Sequence, residues 1–254
     1  MMSLIWTYNG DAVLNKVNDS RRITLINYYI LSITEAKNLG YHTIIYTNTN
    51  SIKYFEGLVD EIIELNNYHS SLQWDSFKVN VLETRDDDFC LIDGDLILKK
   101  VLPDLDEGIM FDTYELGNWK KEYENTINQF TQLGIRDLVK EWDDVFTPII
   151  NTGILRFKSR DFKDLYVQRW KMCDKWISQM NRKNKIDMDS ASLVGGQYLL
   201  TIMANYHNIN KMNINEQMGE NGTFYMHYFG ENKFLNPLVP TDYLLNPQKT
   251  KNLF

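Results

Sequence analysis

Two carboxylates interrupt an apolar run at Phe89-Cys90-Leu91-Ile92-Asp93-Gly94-Asp95-Leu96-Ile97-Leu98, standing two residues apart around a glycine. A short continuous hydrophobic segment of this kind, with Pro103 soon after it, reads as a buried strand of an α/β sheet. An unpaired carboxylate is unfavourable in such a place, so the pair needs a reason. In extended backbone two residues spaced by one face the same side, and Gly94 leaves room for another group to come close. Paired oxygen ligands at the carboxyl end of a central strand suit Mg²⁺ or Mn²⁺, which can bridge to a diphosphate.

Three other groupings carry chemistry. His227-Tyr228-Phe229-Gly230-Glu231-Asn232-Lys233 follows a short apolar segment, Thr223 to Met226. Imidazole can complete a cation shell begun by carboxylates, Gly230 lets backbone amides approach phosphate oxygens, and Lys233 adds a positive charge. Asn151-Thr152-Gly153 stands at the mouth of an apolar strand, where amide and hydroxyl groups can meet sugar hydroxyls or simply make a turn. Gly195-Gly196-Gln197 is read as opening the apolar helix Tyr198 to Ala204. A glutamine at a helix N-terminus can hydrogen-bond a neutral polyol, although the glycines also read as plain punctuation. Asp86-Asp87-Asp88 reads as a solvated loop in preference to a second cation site. Trp6, Tyr8, Trp74 and Trp119 read as packing residues rather than sugar platforms.

The elements that must hold these groups alternate between strand and helix. Ser3 to Tyr8 reads as a strand, Thr24 to Leu39 as a helix stopped by Gly40, and Thr43 to Tyr46 as a second strand, which makes a βαβ opening. A short helix at Ile52 to Leu58, a strand at Glu61 to Leu65 and a helix at Trp74 to Thr84 lead into the Asp93 strand. Beyond it come a strand at Gly108 to Phe111, a polar aromatic region at Tyr114 to Phe130, a strand at Gly153 to Phe157 and a long helix from Arg160 to Met180. Helices on both faces of a mostly parallel sheet account for the alternation. No Pro- or Gly-rich linker divides the chain. The expectation is one domain over 1–254, with a Rossmann-like nucleotide-binding half to about residue 112, an acceptor half over 113–236 and a tail over 237–254.

Composition narrows the classes. With 254 residues, 43% of them hydrophobic, the chain can bury one substantial core. A net charge of -7 argues against a dedicated nucleic-acid binder, while an acidic protein still binds phosphates through a metal. Cys90 and Cys173 are the only cysteines and lie in a strand and a helix, so a disulfide scaffold or cysteine zinc site is not expected and a reducing cytoplasm fits. Met1 to Leu14 lacks the apolar core of a signal peptide, and no apolar run reaches the roughly 20 residues that span a bilayer. Peripheral membrane contact and oligomeric state stay open.

Taken in order, the Asp-x-Asp after an apolar strand, the Asn-x-Gly before a later strand, the glutamine and the terminal His-x-x-Gly-x-x-Lys resemble the glycosyltransferases of the A-type fold, most of all the branch of glycogenin and the bacterial lipopolysaccharide galactosyltransferases. The resemblance runs from Lys78 to Lys233. It implies metal-dependent transfer of a hexose from a nucleotide sugar, usually a UDP-sugar, to a glycan or other hydroxyl acceptor. Mn²⁺ (or Mg²⁺) would be held by Asp93, Asp95 and His227. Gly230, Lys233 and Lys78, with Asp93, would hold the donor, although an exposed lysine is the default for Lys78. Asn151 would contact sugar or acceptor, and Gln197 would lie near the anomeric carbon.

The chain departs from the pattern at two places. Gly196 stands where the family commonly has Asp before the glutamine, and Phe234-Leu235 follow the lysine where it has Pro-Trp. The donor sugar is therefore open. Inversion needs a base opposite the leaving group, and Gly195-Gly196-Gln197 offers no carboxylate, which favours retention by same-face attack with a departing phosphate oxygen taking the acceptor proton. Asp112, Asp187 or Asp189 acting as base keeps inversion in play. A sugar-nucleotide hydrolase or nucleotidyltransferase would share the aspartates, but the chain has no Gly-rich phosphate loop. A non-catalytic carbohydrate-binding protein would explain the aromatics and not His227 and Lys233.

Overall fold

The computed structural model describes residues 2–10, 19–65, 73–115, 120–143, 147–182, 186–217 and 225–227, without the side chains of 19, 20, 73–75, 122, 217 and 225–227. In chain order the elements are β1 (Ser3–Tyr8), α1 (Asp19–Asn38), β2 (His42–Thr47), a 3₁₀ turn (Thr49–Tyr54) and β3 (Glu61–Glu64). Next come α2 (Gln73–Thr84), β4 (Phe89–Ile92), β5 (Leu96–Leu98), β6 (Ile109–Phe111), β7 (Tyr114–Glu115) and α3 (Lys120–Gln132). They are followed by β8 (Ile149–Ile150), β9 (Ile154–Phe157), α4 (Arg160–Asn181), α5 (Met188–Leu193), a π-helical segment (Val194–Tyr198) and α6 (Leu199–Tyr206). The last described elements are β10 (Lys211–Asn213), α7 (Ile214–Gln217) and β11 (Tyr225–His227). Strands hydrogen-bond in the order β10-β6-β9-β4-β1-β2-β3, a mostly parallel sheet in an α/β fold. The helix expected at Ile52 to Leu58 is instead the 3₁₀ turn, displaced toward β2.

Two compact units share the chain. One comprises Met1–Asn66, Leu91–Pro103 and Gly219–Phe254; the other comprises Asn67–Cys90 and Asp104–Met218.

In the first unit β1, β2 and β3 run parallel, with Ile5 opposite Ile44 and Ile45 opposite Ile62. Leu4, Ile5, Trp6, Ile44 and Ile45 are buried, which is why these strands read as continuous apolar runs and not as alternation. The crossover helix α1 ends where Gly40 takes φ +84°. There the Gly40 N–H reaches the Lys37 carbonyl at 2.9 Å and the Tyr41 N–H the Ala36 carbonyl at 3.1 Å, closing the last turn as a Schellman motif. The Trp6 indole N–H donates to the Ser32 hydroxyl at 2.9 Å, and that hydroxyl donates to the Leu96 carbonyl. Through Ser32, α1 therefore ties β1 to β5.

In the second unit β10 runs parallel to β6, and β6 antiparallel to β9. A separate two-strand ladder pairs Tyr114 with Ile150 and Glu115 with Ile149. Helix α4 starts at Ser159, whose Oγ accepts the Phe162 N–H at 3.2 Å, and buries Phe162, Tyr166, Trp170 and Ile177. Cys90 and Cys173 are buried and unbridged, with burial pushing both thiols up to about 12. Among the described residues no helix is long and apolar enough to cross a membrane.

Candidate active site

In the first unit, β4 ends at Ile92 and the chain turns at once. The Leu96 N–H donates to the Asp93 carbonyl at 3.1 Å, so Asp93-Gly94-Asp95-Leu96 forms a β-turn joining β4 to β5. This corrects the extended backbone expected for the two aspartates. They share one tight turn and are half-buried, not sunk in the strand. The close approach expected at Gly94 is present: a Cβ there would sit 2.1 Å from the Tyr29 ring. Tyr29 donates its hydroxyl to the Thr7 carbonyl at 2.7 Å. Burial, with Asp93 and Asp95 adding to it, holds this phenol well above its ordinary range, so it stays a neutral donor beneath the two carboxylates. Tyr8 and Phe55 complete the aromatic support, with ring centroids 5.1 Å from Tyr29 to Tyr8 and 6.0 Å from Tyr29 to Phe55. Trp6 and Tyr8 are buried, as expected of packing residues.

Strand β11 arrives from the far end of the chain. It pairs antiparallel with β5 in the register Tyr225 to Leu98, Met226 to Ile97 and His227 to Leu96. Directly opposed residues of such a pair have Cα atoms about 4.5–5.5 Å apart, so the backbone of His227 is set beside the residue that follows Asp95. Gly230 and Lys233 lie outside the described residues, as do Trp119 and the tail over 237–254. Among the described residues no three His, Cys, Asp or Glu side chains form a metal-binding group. Asp93 and Asp95, as hard oxygen donors in one turn with a neutral phenol behind them, fit Mn²⁺ or Mg²⁺.

The second unit gathers Lys78, Asn151 and Gln197, and adds two residues that sequence reasoning missed. Lys78 donates to the Thr152 carbonyl at 3.1 Å and to its hydroxyl at 3.3 Å, so it is an engaged side chain and not a solvated one. Asn151 makes the expected turn, its Oδ1 accepting the Gly153 N–H at 2.8 Å, and also donates its amide to Glu115 Oε1 at 2.7 Å. Glu115 Oε2 lies 2.8 Å from the Tyr123 hydroxyl, which in turn lies 3.0 Å from the side-chain amide of Gln197. The β7–β8 ladder places Glu115 here, helped by the Asn151 N–H donating to the Thr113 carbonyl at 2.8 Å.

Gln197 does not open a helix. The helix starts at Met188, capped by Asp187, whose carboxylate accepts the Asp189 N–H at 3.2 Å and the Ser190 hydroxyl at 2.6 Å. Gly195, Gly196 and Gln197 lie inside the π-helical segment that links α5 to α6. A π turn widens the ladder by one residue and recurs at functional sites. Here the Thr201 hydroxyl donates to the Gln197 carbonyl at 2.8 Å and accepts the Ile150 N–H at 2.9 Å. Asp112 is fully buried. The Asp86-Asp87-Asp88 loop is exposed but ion-paired, Asp87 to Arg85 at 2.7 Å, Asp88 to Arg156 at 2.6 Å and Asp86 to Arg160 at 2.9 Å. Each of those carboxylates is thus engaged by an arginine.

The solved structures similar to this chain include the glycosyltransferase GlyE of Streptococcus pneumoniae TIGR4, at 10% identity and a TM-score of 0.52 over 99% of this chain. The fold is one that glycosyltransferases use. The match takes in 64% of the GlyE chain, so this chain spans somewhat less than two thirds of that protein's length. Mouse xyloside xylosyltransferase 1 in its apo form is similar at 12% identity and a TM-score of 0.45, over 84% of each chain. The galactosyltransferase LgtC, in complex with donor and acceptor sugar analogs, is similar at 10% identity and a TM-score of 0.40, over 76% of this chain and 70% of its own. No family model and no curated protein sequence matches the chain. In this glycosyltransferase-like fold, as in other open α/β sheets, ligands bind outside the carboxyl ends of the strands, which is where Asp93 and Asp95 stand. Function is then argued from the site and not from the fold.

Proposed function

We propose that the chain is a metal-dependent glycosyltransferase that moves a hexose from a nucleotide sugar, a UDP-sugar by preference, to a hydroxyl acceptor with retention of configuration. The observation that carries this reading is the pairing of β11 with β5, which sets the His227 backbone opposite Leu96 and so beside the Asp93-Gly94-Asp95 turn. A generic strand-end aspartate pair has no use for a histidine delivered from 132 residues beyond Asp95; a cation shell does.

Asp93, Asp95 and His227 would hold Mn²⁺ or Mg²⁺, and Gly230 and Lys233 would meet the diphosphate. When bound, the cation offsets the charge that builds on the leaving diphosphate. The resemblance assigns Lys78 to the donor, Asn151 to sugar or acceptor hydroxyls and Gln197 to the neighbourhood of the anomeric carbon. Of the three carboxylates that an inverting reaction would call on, Asp187 caps α5 and Asp112 is buried in the core, which supports retention, while Asp189, exposed in the first turn of α5, keeps inversion as the alternative. The proton of the acceptor hydroxyl then passes to an oxygen of the departing phosphate as the new glycosidic bond forms.

Thermal denaturation with UDP-, GDP-, CMP- and dTDP-sugars, each with and without Mn²⁺, tests the binding. Ligand bound to the native state alone raises the midpoint, so a UDP-sugar with Mn²⁺ should raise it, and Asp95→Ala and His227→Ala should each abolish the shift. A shift unchanged in both variants ends the assignment. An α-linked product from an α-linked donor agrees with retention; a β-linked one reverses it.

A further inference from the structure

Tyr123 stands between two groups with one proton to give. Its hydroxyl is 2.8 Å from Glu115 Oε2 and 3.0 Å from the Gln197 amide atom placed as Oε1, yet a phenol donates only once. As a carboxylate Glu115 accepts only, and it already takes the Asn151 N–H on its other oxygen. The Tyr123 proton therefore goes to Glu115. The Gln197 contact must run the other way, its NH₂ donating to the Tyr123 oxygen; which end of a glutamine amide is nitrogen is assigned from such networks. We propose that Glu115 and Tyr123 are a positioning pair that turns the Gln197 carbonyl oxygen away from Tyr123 and makes it the atom offered to a bound sugar. The inference rests on the transferase reading and names the device that tunes it.

The chemistry gives the orientation its use. As a diphosphate leaves, the anomeric carbon gains positive charge, which a fixed carbonyl dipole stabilises and an NH₂ group opposes. The rest of the segment is held too: the Gln197 backbone carbonyl accepts from Thr201, which accepts from the Ile150 N–H just before Asn151, and Tyr123 itself is buried. Both amides that the transferase reading assigns to sugar contact are thus set by one carboxylate. In Glu115→Gln the new side-chain NH₂ would donate to Tyr123, the Tyr123 proton would pass to the Gln197 carbonyl, and Gln197 would offer NH₂ instead.

Two measurements test this. In protein labelled with ¹⁵N-glutamine, the Gln197 NH₂ resonances, assigned by their loss in Gln197→Leu, should show a cross-peak to the Tyr123 ring protons beside the hydroxyl, and Glu115→Gln should remove it. Absence of the cross-peak in the unsubstituted protein overturns the inference. In UDP release from UDP-glucose and UDP-galactose with Mn²⁺, Glu115→Gln should lower kcat roughly tenfold to a hundredfold while donor KM moves by less than about threefold. Adding Tyr123→Phe should cause no further loss, because the relay is already reversed; losses that simply add would mean independent structural roles and overturn it. An unsubstituted protein that releases UDP from neither donor, nor nucleotide from any other nucleotide sugar, defeats the transferase reading, while the cross-peak still decides the amide orientation.

Discussion

A methyl group is enough to test the Asp93-Gly94-Asp95 turn. Because a Cβ at Gly94 would meet the Tyr29 ring at 2.1 Å, and that ring is held by its bond to Thr7 and by Tyr8 and Phe55, Gly94→Ala should destabilise the protein by about 1–3 kcal/mol. It should also weaken Mn²⁺ binding. A denaturant midpoint equal to that of the unsubstituted protein would show that the ring yields freely. A second residue-level expectation concerns Asp60, whose carboxyl the Thr43 N–H, followed by the Thr43 hydroxyl and Lys37, lowers to about 2. A carboxyl depressed in the folded state stabilises above its unfolded value near 3.9 and loses that contribution as pH falls toward about 2. Asp60→Asn should thus lower the midpoint at pH 7, and the gap should close between about pH 4 and pH 2. The aspartates and His227 could be picked out as candidates because acids inside an apolar run and a rare histidine stand out in one dimension, and the structure sets the His227 backbone opposite Leu96. The turn between the aspartates was not expected, because the apolar residues on both sides of it read as one continuous strand and the ring that Gly94 packs against comes from α1.

Elements were legible where their signals are local. Gly40 ends α1 as a left-handed cap, and the apolar runs of β1, β2 and β4 lie where expected. The π-helical segment was misread because two glycines before an apolar stretch look like a beginning, whereas the helix had already started at Met188, with Asp187 before it as an N-cap that is itself a sequence signal. Glu115 and Tyr123 were missed for another reason. A two-residue strand has no periodicity, and β7 exists only through its pairing with β8. Thr201 holds that small ladder to the π segment. Thr201→Val keeps the shape, leaves the Ile150 N–H without its partner, and should reduce stability by about 1–3 kcal/mol, measured by chemical denaturation. UDP release should fall along with it; full activity would show that the link to Gln197 is dispensable.

At the scale of the molecule, the mostly parallel sheet is the one that the βαβ opening led one to expect, and both cysteines are buried in it or in α4. The interleaving of the two units did not show in the sequence, since no linker marks it: each is assembled from separated stretches of chain. Truncation after Met218 removes β11 and leaves β5 without its antiparallel partner. It should abolish the Mn²⁺-dependent rise in midpoint with UDP-sugar, and a rise that survives would detach His227 from the site. The pairing of β11 with β5 also has a meaning in time. During synthesis the two aspartates are made more than 130 residues before the histidine of β11. A translation product interrupted between them would carry the carboxylates without the histidine, so on the proposed reading donor capture would wait for β11 to be made.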